Sequence, residues 1–158
     1  MMILDKMDRR ILDEMQKNGS ISNIELADKV GLSPSPCSRR VKQLEDEGII
    51  DRYATMLNPN KLGLTLTAII HIGMDRHTPD RFENFEKEIA TYPEVTSCIL
   101  FTGKSADYLV ELVVQDMESY QELLLNKLTH IAGVTDIQSS FVLRKVINKT
   151  ALPLKHLE

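Results

Sequence analysis

Between Ser22 and Gly48 the chain carries two helix-start signals separated by a glycine, and their spacing restricts what its first third can build. Ser22-Asn23-Ile24-Glu25 is a capping box, in which the Ser22 hydroxyl covers the free amide three residues on and Glu25 reaches back to the Ser22 amide. It predicts a short helix with Leu26 and Val30 inward, ended by Gly31. After the turn Gly31-Leu32-Ser33-Pro34, Ser35 is expected to cap a third helix with Pro36 in its first position, closing at Gly48. Upstream, Asp5 to Lys17 places Met7, Ile11, Leu12 and Met15 at helical spacing and runs into Asn18-Gly19, where a left-handed stop is expected. Three short helices, the second and third joined by a tight glycine turn, make a helix-turn-helix.

Ile49 to Leu57 reads as a short strand or a wing. Asn58-Pro59-Asn60 and Gly63 punctuate a linker, so the expected division is residues 1–62 and 63–158. Beyond it the periodicity changes. Leu64 to Met74 is a strand with Leu64, Leu66, Ala68, Ile70 and Ile72 on one face. Thr78-Pro79 opens a helix with Phe82, Phe85 and Ile89 inward. Strands are expected at Val95 to Thr102 and Ala106 to Val114, with Gly103-Lys104-Ser105 as the turn. Asp116 caps a helix whose stripe is Met117, Tyr120, Leu124, Leu128 and Ile131; Gly133 stops it, and Val134 to Val146 is the last strand. The order βαββαβ implies a ferredoxin-like antiparallel sheet with both helices on one face, so the fold class is α+β. The other face carries Ile69, Leu109 and Val113 and calls for a second subunit.

The net charge of -4 looks wrong for a nucleic-acid binder until the chain is divided. Residues 1–62 hold 10 Lys/Arg and 10 Asp/Glu, whereas residues 63–158 hold 9 and 13, so the acidic excess is C-terminal. Lys29, Arg39, Arg40 and Lys42 stand together with no acid between residues 29 and 44, and a local footprint matters more than a total. Cys37 and Cys98 lie in no metal or redox motif, which fits a reducing cytoplasm. Neither a signal peptide nor a membrane span is expected. His71, His77, His130 and His156 are scattered, with no metal spacing, nucleophile elbow or phosphate-binding loop, so neither a cofactor, a metal nor an enzyme is expected.

Leu32-Ser33-Pro34-Ser35-Pro36-Cys37-Ser38-Arg39-Arg40-Val41-Lys42-Gln43-Leu44-Glu45, followed by Gly48-Ile49-Ile50, closely resembles the helix-turn-helix of the Lrp/AsnC family of regulators. Met7 to Leu12 and Ile21 to Ala27 are similar to the same family, as are Val95 to Gly103, Asp107-Tyr108-Leu109 and Gly133-Val134 in the second half. The resemblance covers nearly the whole chain. It implies a winged-type helix-turn-helix, a homodimer joined through its sheets, further assembly into a tetramer or an octamer as a ring of four dimers, and an amino-acid effector bound between dimers.

On the third helix, steps of about 100° put Cys37, Val41 and Leu44 on one stripe. The opposite side carries Ser35, Arg39, Lys42 and Gln43, with Ser38 at its border and Ser33 in the preceding turn. These groups suit base edges and phosphates of double-stranded DNA, since Arg forks onto guanine and Gln onto adenine. Arg40, nearer the buried edge, is expected to meet a phosphate or an intramolecular partner. For the effector, the turn Thr102-Gly103-Lys104-Ser105-Ala106-Asp107 can hold a carboxylate on its amides, with Asp107 taking the ammonium. On the family pattern Gly103 and Asp107 are the matching positions, although four steps separate them here where the pattern has three. The resemblance adds Leu100 and Thr129 to this site. Leu100, Ala106 and Ile137 favour an apolar amino acid, leucine or methionine. Two other functions fit part of the pattern, an architectural DNA-coating protein and a ligand-sensing regulatory subunit of a metabolic enzyme.

Overall fold

A computed structural model describes residues 4–101, 103 and 106–157. These form five α-helices and one four-stranded antiparallel sheet, in two compact units: Met1–Met56 with Ile147–Glu158, and Leu57–Val146. The boundary thus falls before the Asn/Pro/Gly punctuation, and the residues from Ile147 onward, expected with the second unit, belong to the first.

In the first unit α1 (Lys6–Lys17), α2 (Asn23–Val30) and α3 (Pro34–Asp46) pack around buried Ile11, Leu26, Ala27, Val30, Cys37 and Leu44. Asp5 caps α1 by accepting from the Met7 and Asp8 amides, both at 2.8 Å, while the Asp8 carboxylate accepts from the Asp5 amide at 3.1 Å. This second capping box uses two aspartates and escaped the sequence pattern. At the other end of α1 the left-handed stop is absent: Asn18 is extended, with φ -144°, and Gly19 has no positive φ. The Ser22 box and Gly31 are as expected, and Gly31 sits at φ 74°, where any side chain would strain the turn.

α3 starts two residues earlier than expected. Ser33 is its N-cap and Pro34 its first residue, without a side-chain cap. The physical reason lies in the missing amides. The first three N–H groups of a helix have no intrahelical acceptor, so Pro34 and Pro36 both fit in the first turn at no cost, and Cys37 N–H makes the first bond, to the Ser33 carbonyl at 3.2 Å. After α3, residues 49–57 form no strand; Tyr53 instead ties this stretch to α3 by donating its hydroxyl to Glu45 at 2.6 Å. The C-terminal segment is held on α1 by the side-chain amide of Gln16, which donates to the Leu152 carbonyl at 3.2 Å and accepts from its amide at 2.6 Å, while Leu154 packs on the helical core.

The second unit begins with a single 3-10 turn at Pro59–Leu62. The elements β1 (Leu66–Met74), α4 (Pro79–Ile89), β2 (Val95–Leu100), β3 (Tyr108–Val114), α5 (Met117–Asn126) and β4 (Val134–Phe141) follow. The sheet order β2-β3-β1-β4 is the ferredoxin-like arrangement that βαββαβ implied. Ala68, Ile70, Ile72, Tyr108, Val110 and Leu112 face Phe85, Ile89 and Leu123 in the core. Met117, expected in the inward stripe of α5, is 51% exposed, and Leu123, outside that stripe, is buried beside Tyr120 while Leu124 is half-buried. β4 stops at Phe141, short of the expected Val146. The opposite sheet face presents Ile69, Leu109 and Val113, each half-buried, and Ile99, half exposed.

Asp8 is the one buried charged residue among those described, and Arg40 answers it from α3: Nη1 lies 2.7 Å from Asp8 and 2.9 Å from Asp5. The Asp8 amide, with the Arg40 guanidinium and the Met7 amide, holds the Asp5 carboxyl below its ordinary range against the cost of burial. A depressed folded-state value makes this contribution complete above the ordinary carboxylate range and loses it as pH falls through the lowered value. Asp8→Ala is expected to lower the unfolding free energy of the helical unit by about 1–3 kcal/mol, since it leaves Arg40 without its inner partner and opens the cap. Urea unfolding followed by circular dichroism measures this loss; wild-type stability in the variant would mean that the pair orders nothing.

Candidate functional site

Helix α3 turns Cys37 and Leu44 fully inward with Val41 half-buried beside them, so its outer face is fixed. On that face Ser35, Ser38, Arg39, Lys42 and Gln43 are all exposed, with Ser33 exposed at the cap. Among the described residues neither Arg39 nor Lys42 has an ion pair or a side-chain hydrogen bond. Two exposed, unpaired cations keep their donors for an outside anion, with the nearest acids on the helix, Glu45 and Asp46, one turn beyond Lys42. Arg40 differs, being spent on Asp5 and Asp8, which is the intramolecular of its two expected roles. Burial pushes the Cys37 thiol up, as suits a small core residue.

The face is presented on a braced frame. Asn23 Nδ2, at the start of α2, donates to the Pro34 carbonyl at 2.9 Å and pins the two helix starts together. Arg10 reaches the Lys29 carbonyl at the end of α2 at 3.3 Å, and Glu14 takes Lys29 at 3.4 Å. With Arg40 drawing α3 onto α1, each helix of the unit is tied to the other two by a polar contact as well as by the core.

The second candidate region follows β2. Thr102, Lys104 and Ser105 lie outside the described residues. Gly103 is exposed, and a Cβ there would lie 3.1 Å from the Phe101 ring, so its lack of a side chain admits that ring. Ala106 is buried and Leu100 is 51% exposed at the end of β2. Asp107 joins three strands: its amide donates to the Ile72 carbonyl at 2.9 Å and its carbonyl accepts from Phe101 at 3.0 Å. Its carboxylate holds the Met74 amide with one oxygen at 2.7 Å and His77 Nε2 with the other at 2.7 Å.

Thr129 is not brought to this loop. It sits in the 3-10 turn Leu128–His130, which packs on β4, while Leu100 belongs to β2, and these strands are the two opposite edges of the sheet. Three strand spacings, about 14 Å, separate such edges. Thr129 donates instead to the Leu125 carbonyl at 3.0 Å. Ile137, expected near the loop, packs against the core from β4. A cavity of about 380 Å³ opens elsewhere in this unit, lined by Leu64, Glu94, Val113, Ser119, Glu122 and Lys127 among others, and none of the expected effector residues lines it. His77 was missed as part of the loop's surroundings, because nothing in sequence spacing links a residue before α4 to one before β3. Among the described residues no group of three or more His, Cys, Asp and Glu side chains could hold a metal ion, and no helix is long and apolar enough to cross a membrane.

Comparison with known proteins also divides the chain in two, with the second match running past Ile147 into the segment that folds with the first unit. Residues 4–51 match a winged helix-turn-helix DNA-binding domain, and residues 67–152 match the Lrp/AsnC ligand binding domain. The chain is 41% identical over 152 residues to the leucine-responsive regulatory proteins of Klebsiella pneumoniae and Escherichia coli K12, covering 96% of this chain and 92% of each relative. A transcriptional regulator from Neisseria meningitidis, solved as a complex with L-Met, has a TM-score of 0.94 at 44% identity over 98% of this chain and 99% of that one. An AsnC family regulator from Agrobacterium tumefaciens has a TM-score of 0.90 at 31% identity over 97% and 99%. With relatives that are transcriptional regulators rather than enzymes, and with both of its units matched, the chain belongs to the Lrp/AsnC family of DNA-binding transcriptional regulators.

Proposed function

We propose that α3 reads the major groove of an operator through Ser35, Ser38, Arg39, Lys42 and Gln43, with Ser33 against a phosphate, and that a small apolar amino acid bound near Asp107 alters this binding or the assembly behind it. One observation carries the DNA half: Arg39 and Lys42 stand exposed and unpaired, among the described residues, on the outer face of a helix that holds no acid from residue 34 to residue 44 and is braced from behind by Arg40. A braced helix with the free guanidinium of Arg39 and the free ammonium of Lys42 satisfies the geometry of base-edge recognition, and the one acid on this face, Asp46, stands at its C-terminal end. The exposed acids Glu45, Asp46 and Glu47 close the C-terminal end of α3, so its N-terminal half is the part that enters the groove.

For the effector, support comes from the name of the leucine-responsive relatives, from L-Met in the Neisseria structure, and from a loop whose neighbours Leu100 and Ala106 are apolar. Leucine and methionine are therefore the proposed ligands, with the Gly103 region facing the carboxylate and Asp107 the ammonium. Since Leu100 and Thr129 stand at opposite sheet edges, the proposal requires them to meet across two copies. Ile69, Leu109, Val113 and Ile99, on a sheet face interrupted by Glu111 and its ion pair with Lys145, support a homodimer joined sheet to sheet, from which a tetramer or octamer is built. The site of action is the cytoplasm, where the DNA and free amino acids are.

Arg39→Ala is expected to weaken binding to a selected operator by about 1–3 kcal/mol and to relax base preference at one position. Fluorescence anisotropy on a fragment recovered by genomic selection reads both, and unchanged affinity removes Arg39 from the interface. Calorimetric titration of the full chain is expected to give heats with L-leucine or L-methionine and none with L-aspartate or L-lysine. The reverse ranking would discard the apolar effector.

A further inference from the structure

The Asp107 carboxylate already has a partner on each oxygen. Its Oδ2 is held by the Met74 amide at the end of β1, a backbone bond that the sheet itself fixes. His77 Nε2 lies 2.7 Å from the other oxygen, Oδ1, and so stands where the cation of a ligand would approach that oxygen. The two partners differ in how firmly they are placed. Asp107 has a side chain only 20% exposed, whereas His77 is 69% exposed, lies between β1 and α4, and is otherwise supported by one tilted ring contact with Phe82 at 6.0 Å. An imidazole N–H directed at a carboxylate oxygen uses the same acceptor, at the same distance, as the ammonium of an amino acid would.

We propose that His77 is a built-in competitor for the effector's ammonium, occupying Asp107 until the ligand displaces it, and that it thereby sets the affinity of the site. This rests on the assignment of Asp107 to the ammonium made above. Effector binding is then an exchange, imidazole for ammonium, and the net gain is the difference between two charge-assisted hydrogen bonds. The freed imidazole swings into solvent, which its exposure permits, and the Met74 bond keeps the carboxylate in place throughout. A residue that merely positioned Asp107 would have the opposite effect on removal, because the carboxylate would lose its orientation.

The test is isothermal titration of the full chain with L-methionine and with L-leucine, comparing the unaltered protein with His77→Ala, His77→Gln and Asp107→Asn. His77→Ala is expected to bind the ligand about two- to fivefold more tightly, the range set by an exposed ion pair. His77→Gln restores an N–H donor of similar reach and is expected to return most of the way to the unaltered affinity. Melting temperatures and ligand-free operator affinity are expected to stay at their original values, which separates competition from damage to the fold. Weaker or unchanged binding in His77→Ala overturns the competitor. If Asp107→Asn binds as well as the unaltered chain, or if the unaltered chain binds neither amino acid, the ammonium site itself is misassigned and the competitor falls with it. Weakened Asp107→Asn with unimproved His77→Ala rejects the competitor alone.

Discussion

A single buried carboxylate organises the DNA-facing unit. Asp8 is 2% exposed, and an isolated charge so placed would cost several kcal/mol. Its cost is offset from two directions: the Asp5 amide at the start of its own helix and the Arg40 guanidinium from α3. The same contact does two jobs at once. It closes the first turn of α1, and it orients the helix whose other face presents Arg39 and Lys42. Because Arg39 and Arg40 are adjacent, about 100° apart on the helix, pointing one at Asp8 turns the other outward. A helix rotated by even one residue would exchange the roles of these two arginines, so the buried pair specifies register more than it supplies raw stability.

The second unit uses a comparable device. Asp107 stands where β1, the end of β2 and β3 meet, and its backbone and side chain together bond Ile72, Met74, Phe101 and His77. A carboxylate fixed by the ends of a sheet is preorganised, and a preorganised acceptor loses little freedom when it takes a ligand. On the proposed exchange with His77, the ordered carboxylate and the exposed imidazole divide the roles of receptor and gate.

Much of this was legible in the sequence where the signal is local. The Ser22 box, Gly31 and the alternation of Ala68, Ile70 and Ile72 each depend on neighbours within four residues, and each is found as the pattern implied. Ser35 and Ser33 offer the same cap chemistry, each before a proline, and the structure starts the helix at the earlier one, with both prolines in its first turn and no side-chain cap. Residues 49–57 have strand-like composition but no neighbouring strand to pair with among the described residues. The outer face of α3 was readable because helical phase alone determines it. The contacts of Arg40, Asp107 and Gln16 were not, since their partners lie 32, 33 and 136 residues away.

The topology also bears on the proposed assembly. In the sheet order β2-β3-β1-β4, the candidate residues before and after the sheet's hairpin lie near one edge, and Thr129 lies beside the other. No rearrangement of side chains within one copy can close a gap of about three strand spacings. If both edges contribute to one ligand, they come from different copies, and occupancy becomes coupled to association by mass action: the ligand binds only the assembled state and so stabilises it. Cooperative response then needs no long internal pathway through a single subunit. On the proposed dimer, it follows from a sheet too wide to complete its own site and from a sheet face that a second copy would cover.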